Sequence, residues 1–311
     1  MALSDTLMFF AGTSHPALAQ QIAQCLGIQL GKAHIETFPD GEIGVRILES
    51  VRGKEVFVMQ SIARHPNSYL MELLILIDAM KRASARSINI VIPYYGYARQ
   101  DRRGSAREPI TAKLVADLLQ KAGVTRVLTM DLHTEQVQGF FDIPVDNLYA
   151  KSAMIKAIEN MHLGDLIVVT PDVGSIKLAR SYADALKVDL AIVVKRRANA
   201  KEVKMTALIG DVKGRTVLLV DDMCSTGGTL CSAAKACKDA GAKRVFAAVT
   251  HGLFVGEDWQ ENAIEKMVVS NTIVLPDAMD KSKLELVSVA PLFATAIESI
   301  LGSTSFSPLY N

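Results

Sequence analysis

The chain has 311 residues, of which half are hydrophobic and 22% are charged, and its formal net charge is +1. This composition is sufficient for two ordinary packed domains or one large domain, and it argues against a disordered protein. A charge so close to neutral gives no support to general binding of nucleic acid or anionic membranes, so a phosphate ligand would need locally placed charge.

The N-terminus and the cysteines predict a cytoplasmic protein. Residues 1–10 include Asp5 and lack the basic start and apolar stretch of a secretory signal. No uncharged apolar run reaches the roughly 20 residues of a membrane span. The cysteines form no CxxC pair and no zinc-type spacing with histidine, so we expect free thiols. They are Cys25, Cys224, Cys231 and Cys237.

Short apolar segments rich in Val and Ile recur along the chain and predict strands. Because these segments are continuous rather than alternating, they are typical of strands buried on both faces of a parallel sheet. The predicted strands are Val56–Met59, Ile88–Ile92, Val127–Met130, Ile167–Val169, Leu190–Val194, Val217–Val220 and Val245–Val249.

Three segments with helical spacing lie among or after these strands. The first starts at Pro109 and stops at Gly123, the second ends at Gly241, and the third runs from Pro291 to Gly302. Strands that alternate with helices predict α/β layers. The apolar face predicted for the first helix consists of Ile110, Leu114, Val115, Leu118 and Leu119.

An internal similarity divides the chain. Residues 51–60 resemble residues 212–221, which lie 161 positions later. This offset predicts two related α/β domains, residues 1–150 and residues 151–311. The first copy has Gln60 and Ser61 where the second has two acids, and no glycine turn follows them. Only the second copy therefore retains the elements of a sugar-phosphate site.

The strongest functional pattern is the acidic and glycine-rich stretch after the predicted strand Val217–Val220. That strand would deliver Asp221 and Asp222 to the sheet edge where open α/β sheets bind ligands, and their carboxylates can accept hydrogen bonds from ribose hydroxyls. Two residues further on, the turn Ser225–Thr229 would bring backbone amides to an anion at a helix N-terminus. The ordinary alternative is a glycine turn beside two solvated acids. The pattern resembles the phosphoribosyl-diphosphate-binding motif of phosphoribosyltransferases and ribose-phosphate diphosphokinases.

Other polar segments also follow predicted strands. Arg99–Arg103 follows a stretch of aromatics, His133 and Asp172 follow two further strands, and Lys195–Arg197 follows Leu190–Val194. Taken alone, the basic segments would be solvated loops and the histidine a structural residue. No Walker A sequence is present, so a P-loop does not hold ATP.

Longer motifs decide between these interpretations. They closely resemble class I ribose-phosphate diphosphokinase, from about Phe38 to the C-terminal helix. The resemblance implies two phosphoribosyltransferase-like domains, each a mainly parallel sheet flanked by helices. ATP-binding elements would lie in residues 1–150, with the ribose 5-phosphate loop and a mobile catalytic loop in residues 151–311. The motifs are FPDGE (38–42), MELLILIDAMKRAS (71–84), PYYGYARQDR (93–102), REPITAK (107–113), QGFFD (138–142) and KRR (195–197).

The resemblance also implies a reaction and its residues. The β,γ-diphosphoryl group of Mg-ATP would pass to O1 of ribose 5-phosphate, giving 5-phosphoribosyl 1-diphosphate and AMP for nucleotide biosynthesis. Lys195 would be catalytic, aided by Arg197, and His133 and Asp172 would hold Mg²⁺. ATP would be bound by Phe38, Asp40, Gly41, Glu42, Arg99 and Gln100. Ribose 5-phosphate would be bound by Arg197, Asp221, Asp222, Ser225, Thr226, Gly227, Gly228 and Thr229.

Assembly and regulation are also implied. Family members are commonly homohexamers that ADP inhibits and phosphate activates, and their ATP site lies between subunits. Phe38 would then reach a neighbour's adenine, and Ser50 and Arg52 would contribute to an effector site. One residue departs from the family pattern, because Ser225 stands where Asp is usual. Two alternatives stay open: a phosphoribosyltransferase, and a catalytically silent subunit that regulates a synthase.

Overall fold

The computed structural model describes residues 7–199, 202–255, 263–276, 279–302 and 304–305, with backbone only for 195–199 and 202–206. Contacts divide these residues into two units. The N-terminal unit holds the described residues of Met1–Tyr149, Thr272–Val274 and Val289–Asn311. The C-terminal unit holds those of Ala150–Asn271 and Leu275–Ser288. In these ranges, no helix combines the length and the apolar character that crossing a membrane requires.

The N-terminal unit is built on a five-stranded parallel sheet and a separate hairpin. The sheet strands are β1 (Leu7–Ala11), β4 (Glu55–Met59), β5 (Ser87–Ile92), β6 (Arg126–Met130) and β7 (Val145–Leu148). They lie side by side in the order β1-β4-β5-β6-β7. The hairpin consists of β2 (Ala33–Thr37) and β3 (Ile43–Ile47). The helices are α1 (Pro16–Cys25), α2 (Pro66–Arg82), α3 (Thr111–Ala122) and α7 (Ala290–Gly302), with a 3-10 helix at Glu135–Phe140.

The C-terminal unit is built on a seven-stranded sheet. Its strands are β8 (Leu166–Thr170), β9 (Asp189–Asn199), β10 (Glu202–Ile209), β11 (Thr216–Cys224), β12 (Arg244–Gly252), β13 (Lys266–Ser270) and β14 (Leu284–Val287). Their order is β10-β9-β8-β11-β12-β13-β14, and β10 pairs with β9 in antiparallel register whereas the other described pairs are parallel. The helices are α4 (Lys151–Asn160), α5 (Ile176–Leu186) and α6 (Gly228–Asp239). The predicted fold class is therefore confirmed in both units.

The five strands of the first sheet correspond in order to five adjacent strands of the second, β8-β11-β12-β13-β14, beside which β9 and β10 are additional. In each set of five the segment of internal similarity contains the second strand, β4 in one and β11 in the other. The neighbouring registers agree, since Glu55 lies opposite Leu7 and Ser87, and Thr216 lies opposite Leu166 and Arg244. Gln60 therefore occupies the position in the first sheet that Asp221 occupies in the second.

Helix α7 departs from the predicted division into residues 1–150 and 151–311. It follows the C-terminal unit in the chain but packs with α1 in the N-terminal unit. Phe293 and Ile297 of α7 are fully buried. Burial of these side chains gives a physical reason for the helix to belong with the first sheet.

Two local predictions were wrong. The chain was expected to leave its strand at Val194, but β9 continues to Asn199 because β10 supplies an antiparallel partner along its length. The run of apolar residues ends at Val194, whereas the strand continues through polar residues to Asn199. Helix α3 buries Val115 and Leu119, but three other residues of its predicted apolar face are exposed. They are Ile110, Leu114 and Leu118.

Leu118 and Leu119 provide a matched test of this packing. Leu119 is fully buried, whereas the side chain of its neighbour Leu118 is 41% exposed. Leu119→Ala should lower the free energy of unfolding by about 2–5 kcal/mol, because it leaves a cavity in the core. Leu118→Ala should cost about 1 kcal/mol or less. Urea unfolding of both variants would check this, and equal losses would contradict the arrangement.

Candidate functional site

The acidic end of β11 lies where the sheet opens. β11 stays paired with β12 through Asp221 and on to Cys224, whereas its pairing with β8 stops at Leu219. The strand is therefore longer than the predicted Val217–Val220. Asp221 is half-buried and lies just beyond the last pair with β8. This is the carboxyl end of adjacent parallel strands, where ligands of such sheets bind.

A tight turn after β8 holds Asp172. The Asp172 carboxylate accepts hydrogen bonds from the backbone amides of Gly174 at 2.8 Å and Ser175 at 3.2 Å. The Thr170 hydroxyl donates to the Asp172 carbonyl at 2.6 Å. The hydroxyl of Ser175 in turn donates to the Oδ1 atom of Asp221. The structure thus brings two of the predicted site carboxylates together through one serine.

The environment of Asp221 disfavours its charge. The pKa of Asp221 is raised to about 7. The largest cause is burial, and the next is the negative charge of Asp222. The hydrogen bond from Ser175 lowers the pKa, whereas the charge of Asp172 raises it. A cation placed against these carboxylates would relieve both the desolvation and the repulsion. The electrostatics of this edge therefore favour a bound cation or hydroxyl donors.

The glycine turn joins β11 to α6. Gly227 has φ +90°, a left-handed conformation that glycine adopts without strain, and α6 begins at the next residue, Gly228. The amide of Val255 donates to the Ser225 carbonyl at 3.0 Å, which fixes the start of the turn. The first amides of a helix carry partial positive charge. The turn can therefore meet a phosphate beside Asp221.

The hairpin in the N-terminal unit presents the FPDGE segment. Phe38 and Glu42 close the turn between β2 and β3, with the Phe38 amide donating to the Glu42 carbonyl at 2.8 Å. The Asp40 carboxylate accepts from the Glu42 amide at 3.1 Å, and Gly41 has φ +93°. The Phe38 side chain is 43% exposed, so it is not the core residue that its apolar character would suggest.

The segment after β5 presents Arg99 and Gln100 at the surface. Tyr95 beneath them is buried and donates to the Ala112 carbonyl at 3.2 Å, so this aromatic fixes the segment rather than stacking on a base. The Gln100 side chain accepts from the Thr111 hydroxyl at 2.6 Å. The ends of this segment are thereby tied to the start of α3.

The turn after β6 presents His133. Asp131 has a left-handed φ of +39°, and the Leu132 amide donates to the side chain of Asn147 on β7 at 3.1 Å. The Thr134 hydroxyl donates to Asp101 at 3.0 Å. This last hydrogen bond ties the His133 turn to the Arg99–Arg103 segment, a link that no sequence motif had indicated.

At the edge of the N-terminal sheet where Gln60 is equivalent to Asp221, the polar side chains bind one another. The Glu72 carboxylate, carried by α2, accepts from the amide and hydroxyl of Thr13 at 2.7 and 2.5 Å and from Gln60 at 2.9 Å. The Gln60 side chain also accepts from the Ser14 amide at 3.1 Å. These side chains leave this sheet edge closed by internal hydrogen bonds.

The remaining predictions concern cations. Lys195 and Arg197 lie on β9, and their side chains fall outside the part of the structure that is described. Among the described residues, no group of three or more His, Cys, Asp or Glu side chains is arranged to hold a metal.

Ser175 was missed by sequence reasoning; its only signal was its place at the N-cap of a helix after Asp172.

Comparisons with known proteins cover nearly the whole chain. Residues 7–123 match the N-terminal domain of ribose phosphate pyrophosphokinase, and residues 144–278 match the phosphoribosyl transferase domain. The ribose-phosphate pyrophosphokinase of Clostridium perfringens is 50% identical, over 99% of this chain and 98% of that protein. The same-named protein of Caldanaerobacter subterraneus subsp. tengcongensis is 51% identical over 99% and 98%. The crystal structure of phosphoribosylpyrophosphate synthetase from Mycobacterium smegmatis matches with a TM-score of 0.91 and 41% identity, over 96% of this chain and 99% of that one.

The raised pKa of Asp221 predicts a pH-dependent stability. In the unfolded chain this carboxyl ionises near its ordinary pKa of 3.8, whereas in the folded protein it ionises near 7. The folded state therefore binds more protons between about pH 4 and pH 7, and stability from this group falls as pH rises through that window. Asp221→Asn should gain thermal stability over the wild-type protein across the same window.

Melting temperatures in metal-free buffer would measure this gain. The same substitution at the exposed Asp184 controls for the loss of one formal charge. A difference between Asp221→Asn and wild type that stays constant from pH 4 to pH 7 would contradict the assignment.

Proposed function

The chain belongs to the ribose-phosphate pyrophosphokinase family, and on that premise we propose which of its residues carry out the family's reaction. The chain is an enzyme, a ribose-phosphate diphosphokinase. Ribose 5-phosphate and ATP are converted to 5-phosphoribosyl 1-diphosphate and AMP. The observation that carries the proposal is the half-buried Asp221 on the part of β11 that extends past β8, four residues before the turn that begins at Ser225 and leads into a helix.

The sugar phosphate binds at this edge of the C-terminal sheet. Asp221 and Asp222 accept hydrogen bonds from the ribose hydroxyls. The turn from Ser225 to Thr229 holds the 5-phosphate through backbone amides and hydroxyls, at the positive end of α6. Ser225 in place of the family's Asp keeps a hydroxyl donor and removes a negative charge that would repel the phosphate. Arg197 adds a cation to the same ligand.

ATP binds through the elements of the N-terminal unit. Arg99 and Gln100 lie exposed on a segment that Thr111 and Thr134 tie down, so they are held ready for a nucleotide. The exposed ring of Phe38 packs against the bare backbone of Gly44, where a Cβ would approach within 2.9 Å. A ring supported in this way can stack on an adenine. Asp40, Gly41 and Glu42 complete the hairpin turn that presents it.

The carboxylates at this edge of the C-terminal sheet favour a divalent cation, and we propose that it is magnesium. The repelling carboxylates around Asp221 form an edge that a divalent cation would stabilise, and oxygen donors are the ligands that Mg²⁺ prefers. Asp172 and His133 would hold the ion, with phosphate oxygens and water as its further ligands. When bound, Mg²⁺ neutralises charge on the phosphate oxygens.

The reaction requires the protein chiefly to position the two substrates and to stabilise negative charge in the transition state. The anomeric O1 of the sugar attacks the β-phosphorus of ATP, the bond from that phosphorus to the α,β-bridging oxygen breaks, and AMP leaves. Asp221 and Asp222 orient the sugar so that O1 is in line with that bond. Lys195, Arg197 and Arg99 stabilise the negative charge that grows on the phosphoryl oxygens in the transition state.

The alternatives are not favoured. Relatives at about 50% identity along the full chain are named ribose-phosphate pyrophosphokinases, which favours neither a silent regulatory subunit nor a phosphoribosyltransferase. A homohexamer in which Phe38 reaches a neighbour's nucleotide, effector binding of phosphate and ADP near Ser50 and Arg52, and a cytoplasmic location are part of this proposal. They rest on family resemblance.

An assay of the purified protein tests the activity directly. With ATP, Mg²⁺ and ribose 5-phosphate, AMP and 5-phosphoribosyl 1-diphosphate should form in equal amounts, because the diphosphoryl group moves as one unit. Reactions without the sugar are the control. Formation of ADP, or turnover that requires 5-phosphoribosyl 1-diphosphate as substrate, would contradict the proposal. Repeating the assay with added phosphate and added ADP tests the effectors.

Lys195→Ala tests the catalytic cation. If this lysine acts on the transition state, the variant should lose about 10³-fold in kcat, while the KM values for both substrates change little. Lys235→Ala, which removes an exposed lysine from α6, is the matched control. A loss of only a few-fold in kcat would refute the role given to Lys195.

A further inference from the structure

Ser175 stands at the N-cap of α5 without using its side chain as a cap. A serine at this position ordinarily accepts a hydrogen bond from one of the first helix amides, and this bond stabilises the helix. Here the hydroxyl donates instead to the Oδ1 atom of Asp221 on β11. The side chain is therefore directed away from its own helix and toward the neighbouring strand.

The Asp172 carboxylate orders the turn that precedes α5. It accepts from the amides of Gly174 and Ser175, which lie just before the first helical residue, Ile176. One residue thus connects two acidic side chains of the site: its amide binds Asp172, and its hydroxyl binds Asp221. Both bonds lie within the C-terminal unit.

The hydroxyl fixes the orientation of the Asp221 carboxylate. A second donor, the Asp222 amide, reaches the same Oδ1 atom at 3.0 Å. Two donors that converge on one oxygen define the plane of the carboxylate and the direction of its other oxygen. Without the serine hydroxyl, this oxygen loses one of its two converging donors, and the orientation of the carboxylate is less well defined.

We propose that Ser175 is a positioning residue, which orients Asp221 for the sugar hydroxyls and links the Asp172 turn to it. This inference rests on the proposed function, because it assigns Ser175 a role only through the binding of ribose 5-phosphate by Asp221. Ser175 itself does not touch the reacting atoms.

Steady-state kinetics of Ser175→Ala test the proposal. Loss of a hydrogen bond to a carboxylate should raise the KM for ribose 5-phosphate about tenfold, while the KM for ATP stays within about twofold of the wild-type value. Ser175→Thr, which keeps a hydroxyl, should restore most of the affinity. Ser181→Ala removes a hydroxyl from the same helix, where it donates only to the Leu178 carbonyl at 2.8 Å, and should behave as wild type.

Two further variants separate this inference from the proposed function. If Asp221→Asn leaves the KM for ribose 5-phosphate unchanged, the proposed role of Asp221 fails, and the role of Ser175 fails with it. If Asp221→Asn raises that KM but Ser175→Ala does not, the inference alone is overturned. In an Asp221→Ala background, where the acceptor oxygen is gone, adding Ser175→Ala should have little further effect, and additive losses would also overturn it.

Folding of the variants is checked by circular dichroism and thermal melting. Ser175→Gly also removes the hydroxyl and leaves a residue that is tolerated at an N-cap. If Ser175→Ala does not fold, this second variant decides the outcome by the same KM criterion. Equal rises in the KM values for both substrates would indicate a general structural role and overturn the proposal.

Discussion

The site proposed in the C-terminal unit depends on carboxylates that are held close together where a parallel sheet opens. Register alone places Asp221 beyond the last pair between β8 and β11, beside the turn that holds Asp172. Burial and like charge both disfavour ionisation there. Hydrogen bonds from Ser175 and from backbone amides hold the arrangement in place without neutralising it. Carboxylates arranged in this way are stabilised by ligands that bring hydroxyl donors or positive charge.

In the N-terminal unit, side chains and amides of the protein itself donate to the carboxylate at the corresponding sheet edge. Gln60 replaces Asp221 at the equivalent position, and Glu72 reaches from α2 to accept hydrogen bonds from Thr13 and Gln60. The polar groups at this edge are thereby paired internally. The binding elements that we propose for this unit lie elsewhere, on the hairpin between β2 and β3 and on the segments after β5 and β6. Equivalent strands of the two sheets therefore end in different polar groups, and only the C-terminal sheet has the acidic edge.

Sequence patterns predicted the fold and the position of the acidic turn because both depend on local signals. Continuous apolar runs marked the central strands, and glycine at 123 and 227 marked a helix end and a left-handed turn. Patterns failed where a partner distant in the chain decides the outcome. Polar Lys195–Asn199 is a strand because β10 pairs with it, and Ser175 matters because Asp221 lies across from it. The exposed face of α3 also eluded prediction, since periodicity shows that a side chain is apolar but not whether it is covered.

The position of α7 affects how the chain acquires its structure. Phe293 and Ile297 belong to the core of a unit whose strands end at Leu148, so this unit lacks part of its buried apolar surface until nearly the whole chain exists. During synthesis the second sheet can form before the first is complete, which reverses the usual N-to-C order of domain folding on the ribosome. A product shortened by premature termination within α7 would expose apolar surface of the first unit, which would make it a substrate for chaperones and proteases.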